Sequence, residues 1–414
     1  MKITVFDLGK DAGNEPLAQA VKNYYIETNP KAEVVIHNYS ETEIKDCRGC
    51  WSCWWKTPGQ CALRDADNLY RDYMNSDEVV LLFNTENGFI NGKGKTFLDR
   101  AIQHYMPYIH IRNGECGHLK RYDKYPVMNF YFEKNGLSAE EAAVIRCYLA
   151  RTAYHFSSTG KELVVENEGL RVADLEDTKP MDEVLSNEVA ERKTNGKWVI
   201  YNGSPRGTHS NSRLMIEQII TGMRAQGAED IEVRDLIDTK EHKTWAETFS
   251  SSENNLFVFP LYVHAMPGLV MKFFEQLKPV NNKKVHMAFL VQSGFPETSQ
   301  SYYLRPYLEL LTKRLGTAFD GTIIRGNVEG IQQQTEKQNK KFFDELKQIG
   351  ETYASKGIMD VTLKKEYEKM AYLPKAAQVI FSILSVFGVT NGYWNSNLKK
   401  NGAYEKRYAR PYME

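Results

Sequence analysis

Short apolar runs alternate with amphipathic stretches twice along the chain, in the strand and helix order that builds a parallel sheet covered on both faces. The second series is the clearer. Lys197–Gly203 is an apolar strand ending in a glycine turn, Ser210–Gln226 carries apolar residues at helical spacing, and Ile231–Leu236 is a second strand. Asn255–Pro260 is continuously apolar, as a central strand buried on both faces must be, and Pro267 opens the helix containing LVMKFFEQL. Lys284–Gln292 and Thr317–Ile324 add two strands with the helix Tyr302–Leu315 between them, which makes five strands in a three-layer sandwich.

The first series repeats the plan, with strands over Lys2–Phe6, Ala32–His37, Glu78–Phe83 and Pro126–Phe132 and helices near Asn14–Thr28, Lys93–Tyr105 and Ser138–His155. GKGKTFLDR at 92–100 and PGLVMKFFEQL at 267–277 each follow a strand of the form VVLLF or NLFVF, and we read the correspondence as a tandem duplication. The polar, acidic stretch Val172–Asn195 lacks periodicity and reads as a linker. The expected organisation is a first domain over 1–171, a linker over 172–195, a second domain over 196–356 and a C-terminal helical and aromatic-basic arm over 357–414.

A length of 414 residues fits two or three domains. Lysine plus arginine and aspartate plus glutamate number 53 each, so no net field draws nucleic acid or an anionic membrane, and a small molecule is the expected partner. The start MKITVFDLGKDAG has no basic, apolar or cleavage segment of an export signal, which leads us to expect a cytoplasmic protein. AAQVIFSILSVFGV at 376–389 falls short of the roughly 20 residues that span a bilayer and reads as a buried or interface helix. The basic, aromatic NGYWNSNLKKNGAYEKRYARPY carries no nucleic-acid motif and is expected to pack across a domain or subunit.

Directly after the first strand of the second series stands Gly203-Ser204-Pro205-Arg206-Gly207-Thr208-His209-Ser210-Asn211-Ser212. Glycine admits close backbone approach, hydroxyls and an amide supply donors, and the following helix aims its unpaired N–H groups at an anion, so this loop reads as a phosphate cradle. An ordinary turn with Ser210 or Asn211 as helix cap is the plainer alternative. The position at a strand's carboxyl end favours the cradle, because open α/β sheets bind ligands there.

The segment NGSPRGTHSNS resembles the phosphate loop of NADPH-dependent FMN reductases of the flavodoxin-like class. The resemblance implies two flavodoxin-like αβα domains, each with a five-stranded parallel sheet, and an FMN phosphate held around Ser204, Arg206, Ser210, Asn211 and Ser212. It extends to the ring-side pattern P-x-Y-x-x-x-x-P-G, matched here by Pro260, Leu261, Tyr262 and Val263 through Pro267 and Gly268, and to the loop with Ser293 and Gly294 after the fourth strand. His264 lies beside the implied ring, either as a proton or hydrogen-bond donor or as a loop histidine facing water. A family homodimer is implied too, although an internal duplication can supply the neighbouring half in one chain.

At the equivalent turn the first series reads Asp7-Leu8-Gly9-Lys10-Asp11-Ala12-Gly13-Asn14-Glu15, whose acids would oppose a phosphate. It also lacks the ring-side proline and tyrosine, so this half is expected to have lost flavin binding. It keeps Cys47, Cys50, Cys53 and Cys61, spaced C-x2-C-x2-C-x7-C, which resembles the motif that holds a 4Fe–4S cluster in iron–sulfur flavoproteins. Zinc binding or free thiols are the alternatives. Trp51, Trp54 and Trp55 read as packing for this loop, and Glu115, Cys116 and His118 as a polar loop rather than a metal site. The expected function is an FMN-dependent oxidoreductase that takes electrons from NADH or NADPH and gives them to a quinone, flavin, nitro or azo compound. The alternative is an iron–sulfur flavoprotein that performs electron transfer with a protein redox partner.

Overall fold

Two parallel sheets organise the chain. The computed structural model describes residues 1–9, 14–38, 44–166, 169–175, 189–194 and 196–413. They fall into two compact units, one made of Met1–Lys179 with Lys375–Glu414 and the other of Pro180–Pro374.

In the second unit the strands Trp198–Asn202, Ile231–Asp235, Asn254–Pro260, His286–Gln292 and Ala318–Arg325 pair in parallel in the spatial order second, first, third, fourth, fifth. This is the doubly wound, flavodoxin-like order, whose switch between first and third strands opens a crevice at their carboxyl ends. Side chains alternate across the pleat. Ile200, Val258 and Leu290 meet Met215 and Ile219 of the helix Asn211–Ala225 and Leu346 and Ile349 of the helix Glu336–Lys356 on one face. On the other face Tyr201 stacks on Phe257 at 4.4 Å, and Phe257 meets Phe274 of the helix Gly268–Phe274 at 5.1 Å. Each such side chain contributes about 1.5–3 kcal/mol on full burial, which is what fixes a sheet that is apolar on both sides between two helical layers.

The first unit repeats that order with Glu33–Asn38, Lys2–Asp7, Glu78–Phe83, Val127–Phe132 and Gly160–Glu166, all parallel. A sixth strand, Gly169–Asp174, pairs antiparallel at the outer edge, so the expected five-stranded sheet has six strands here. Charged residues such as Lys161 and Arg171 alternate with Leu163 and Val172, the composition of an edge that faces solvent on one side. The helix expected over Lys93–Tyr105 stops at Arg100, tightens into a 3-10 turn over Ala101–His104, and gives way to a hairpin of Tyr105–Arg112 with Glu115–Lys120.

Residues 375–414 return to this first unit. Trp394 packs edge-on against Trp54 at 5.2 Å, Arg121 donates to the carbonyls of Arg407 and Ala409, and the Tyr412 hydroxyl meets Asp67 and Gln103. Trp54 also stacks on Trp51 at 4.5 Å and donates to the Tyr105 carbonyl, so these tryptophans pack the cysteine loop. Of the two expectations for the helix Lys375–Val386, burial does not hold, because Val379, Ile380, Ile383 and Leu384 are exposed. Among the described residues no single helix is long and apolar enough to cross a membrane.

Candidate functional site

The first strand of the second unit ends at Asn202, and the chain turns through Gly203–His209 into the helix Asn211–Ala225. A Cβ on Gly203 would stand 2.6 Å from Val270 Cγ2 and 2.8 Å from Phe259 Cβ, so only glycine lets the loop lie against the third strand. Asn202 shapes the loop with its buried amide. It donates to the Gly207 carbonyl at 3.0 Å and to Asp235 Oδ1 at 2.7 Å, while its own oxygen accepts the Ser204 N–H at 3.1 Å.

Ser210 takes the cap position, its Oγ accepting the Arg213 N–H at 3.1 Å. That leaves the N–H groups of Asn211 and Ser212, the first two of the helix, without acceptors among the described residues and directed at the loop. Arg206 is half-buried at the rim; its Nε is buried with no hydrogen-bond partner, and another guanidinium nitrogen lies 3.5 Å from Glu329. Ser204 and Ser212 are closed off from solvent, and Ser212 Oγ accepts from Gln292 at the end of the fourth strand at 3.4 Å. Asn211 donates to the Val328 and Glu329 carbonyls at 3.0 and 3.4 Å, which ties the segment after the fifth strand to the same place. A buried guanidinium donor and two unspent helix N–H groups are the donor set that suits a phosphate dianion.

The third strand runs out into Pro260–Gly268. Leu261 donates to the Gln292 carbonyl at 2.7 Å, and Tyr262 and Ala265 exchange backbone bonds of 2.8 and 3.0 Å around a two-residue turn. The turn is made by Val263 at φ 40° and His264 at φ 61°, in the left-handed region. A β-branched residue there costs about 1–3 kcal/mol, a strain that concentrates at functional loops. Replacing Val263 with asparagine, which tolerates this region, is expected to raise the unfolding free energy by about 1 kcal/mol in a urea titration. An unchanged midpoint would mean that the turn is unstrained.

Leu261, Tyr262 and Val263 are half-exposed on one side, and Phe295 and Pro296 after the fourth strand are half-exposed on the other. The Ser293 N–H bonds the Arg325 carbonyl at 2.9 Å, its hydroxyl donates to the Phe295 carbonyl at 3.1 Å, and Gly294 is exposed. Pro260 is buried in the strand end, and His264, with 6% of its surface exposed, does not face water. Three adjacent strand ends therefore gather Ser204 to Ser212, Pro260 to Val263, and Ser293 with Gly294. Sequence reasoning gave Asn202 no role of its own, although it stands in the quoted loop segment, and passed over Glu329. A polar residue closing an apolar strand just before a glycine loop was a usable signal for Asn202; Glu329 sits in an irregular turn with no such mark.

At the corresponding edge of the first unit, residues 10–13 lie outside the described residues. Asp7 is buried, with Oδ1 accepting the Gly9 N–H at 3.0 Å and Oδ2 without a partner among the described residues. Asn14, Asn84 and Glu133 bond to one another at 3.4 and 3.1 Å, so the amides here are spent on the protein itself. Burial holds the Asp7 carboxyl above the usual range, against the opposing hydrogen bonds of Gly9 and Asn14. A raised acid loses the native state stability as pH climbs from the unfolded value of about 3.9 through the higher native one, and the deficit persists above it. Asp7→Asn is therefore expected to raise the thermal midpoint near pH 7 and to give little gain near pH 3. Equal gains at both would trace the effect to something other than charge.

The described residues do not support the metal centre that the cysteine spacing suggests. Among the described residues no three of the histidine, cysteine, aspartate and glutamate side chains are gathered so as to hold a metal ion. Gly49 at φ 60° and Trp51 at φ 55° flank Cys50, which is exposed, while Cys47, Cys53 and Cys61 are half-buried, and none of the four is in a disulfide. Burial pushes the Cys47 thiol up to about 12 and the Cys53 thiol well above its ordinary value, so both are held as neutral thiols. A 4Fe–4S cluster or zinc at these cysteines is therefore without support in the structure. Glu115 instead pairs with Arg151 at 2.7 Å.

No protein-family model matches the chain, and no curated protein matches it. Solved structures do. The chain is similar to an FMN-dependent NADH-azoreductase from Bacillus anthracis in complex with FMN, at 12% identity over 39% of this chain and 100% of that one, with a TM-score of 0.31. It is similar to general stress protein 14 from Treponema denticola in complex with FMN, at 15% identity over 36% of this chain and 99% of that one, with a TM-score of 0.28. It is also similar to a flavodoxin from the domain Archaea, at 17% identity over 38% of this chain and 96% of that one, with a TM-score of 0.28.

Proposed function

We propose that the second unit binds FMN at these three strand ends and that the protein is an NAD(P)H-dependent flavin oxidoreductase. The observation that carries the reading is the buried, unpartnered Arg206 Nε beside the free N–H groups of Asn211 and Ser212, at the switch point of a doubly wound sheet. Arg206 and the two amides would hold the phosphate, with the Ser204, Ser210 and Ser212 hydroxyls around it. Tyr262, in its strained turn, and Phe295 would flank the ring, excluding water from its faces. When bound, the flavin supplies the redox step, accepting hydride from nicotinamide and delivering electrons to a small acceptor such as a quinone, flavin, nitro or azo compound. No side-chain nucleophile or base is needed, so the protein's part is to bind, orient and desolvate.

Among the described residues of the corresponding turn in the first unit, the amides are bonded to the protein and Asp7 is a buried acid, and we assign this unit no flavin. The test is an anaerobic absorption spectrum of the protein reconstituted with FMN, before and after adding NADH or NADPH. Retention of one flavin per chain and bleaching by the nicotinamide are expected. A protein that takes up no flavin overturns the reading; a flavin that no nicotinamide reduces overturns the reductase part of it.

A further inference from the structure

The C-terminal part of the first unit carries an amphipathic helix with its apolar side turned outward. At 100° per residue, Val379, Ile380, Ile383, Leu384 and Phe387 share one arc of Lys375–Val386 and the turn after it, and Gln378, Ser382 and Ser385 lie opposite. In a helix that caps a soluble core the apolar arc faces in. Here Val379 and Ile380 are each 58% exposed and Phe387 is 77% exposed, while Gln378 and Ser385 are half-buried. Among the described residues, seven of the seventeen exposed large hydrophobic side chains fall between Val379 and Tyr393, so the apolar surface is concentrated in one place and not scattered. The Ser382 hydroxyl donates to the Gln378 carbonyl at 2.8 Å, which satisfies it inside the helix.

The charge along this stretch of chain has one sign. No aspartate or glutamate occurs from Lys375 to Ala403, and the apolar stretch is bounded by Lys375 on one side and by Lys399 and Lys400 on the other, in a chain whose net charge is zero. We propose that the helix Lys375–Val386 and Phe387 lie in the interface of an anionic lipid bilayer and hold the protein against a membrane surface. A helix of 12 residues is about 18 Å long, short of the roughly 30 Å hydrocarbon core, so it lies in the plane and does not cross. A second copy of the chain is the weaker occupant. It would add like charges at the rim, and a contact between two helices of this length falls short of the roughly 1,200 Å² that stable dimers bury. Anionic headgroups answer the apolar arc and the flanking lysines together.

The inference is independent of flavin binding. It is tested with the full chain in flotation assays against vesicles of phosphatidylcholine alone and of phosphatidylcholine mixed with phosphatidylglycerol. Binding that favours the anionic vesicles is expected, with a loss of about tenfold or more in the double variant Ile380→Glu, Ile383→Glu. Lys399→Glu with Lys400→Glu is expected to abolish the preference for anionic lipid. These positions face solvent, and an unchanged thermal midpoint in both variants will show that the fold is intact. Absence of vesicle binding, or binding that the Ile380 and Ile383 changes leave untouched, overturns the proposal. So does a dimer in light scattering that the same two changes dissolve, which would assign the face to a second copy.

Discussion

Arg206→Glu is expected to weaken FMN binding by about 100- to 1,000-fold, because it removes a charge-assisted bond to the phosphate and sets a carboxylate in its place. The buried Nε without a partner is the reason to single out this residue: its desolvation is offset only when an anion arrives. Folding should barely respond. The one ion pair lost, to Glu329 at 3.5 Å, is at the surface and partly exposed, a class of contact worth about 1 kcal/mol or less. Arg206→Lys keeps the charge but not the planar fork, and should lose about tenfold. Glu329→Gln should act in the opposite sense and tighten binding a few-fold, since its carboxylate competes with the phosphate for the same guanidinium. Flavin fluorescence titration reads all three. An Arg206→Glu protein with unchanged affinity would show that the phosphate is held elsewhere.

Most of the second unit was legible in the chain because its strands are buried on both faces. NLFVFP and KWVIYNG have no polar face to confuse the period, and glycine or proline closes each of them. The turn proposed as a cradle was legible as a turn for the same reason: a glycine-led polar loop stands out between an apolar strand and a periodic helix. The first unit was harder where its elements are edges. Gly160–Glu166 and Gly169–Asp174 mix charged and apolar residues, and Gly169–Asp174, at the edge, has a single neighbouring strand. The hairpin after Tyr105 did carry a local signal, Asn113-Gly114 with φ of 56° and 82°, the dipeptide that two-residue hairpin turns favour. It was hidden by the helical spacing of the residues before it.

Two readings were limited by a common cause. Spacing reports which residues are near in sequence, not which way their side chains point. Four cysteines within fifteen residues read as a ligand set, yet they differ in exposure, with Cys50 open to solvent and Cys47, Cys53 and Cys61 half-buried. An apolar helix read as buried or as an interface, because its composition says only that it avoids water, not where it finds shelter. Directions of that kind are set by tertiary packing, here by Trp394 against Trp54 and by the tail that Arg121 holds.

Alanine at Gly222 or Gly350 is expected to destabilise the second unit by about 3 kcal/mol each, although alanine in a helix interior ordinarily gains about 1 kcal/mol over glycine. The two glycines mark the crossing of the helices Asn211–Ala225 and Glu336–Lys356. A Cβ on Gly222 would strike the Lys347 carbonyl, and one on Gly350 the Ile219 carbonyl, so each backbone lies directly on the other and neither obstacle is a side chain that can rotate away. The helices must part, and the core of Ile219, Leu346 and Ile349 between them must loosen. The cost reaches the site as well, since the helix that would move is the one whose first N–H groups face the cradle, and a fall in FMN affinity should accompany the fall in stability. Gly392→Ala is the control, at a helix start where a Cβ would meet nothing within 4 Å, and should be neutral or slightly stabilising. Urea unfolding of the three variants decides the matter: alanine at Gly222 and Gly350 matching the wild type would mean that the helices cross at a greater distance, and the cradle would then owe its position to the Asn202 and Asn211 hydrogen bonds alone.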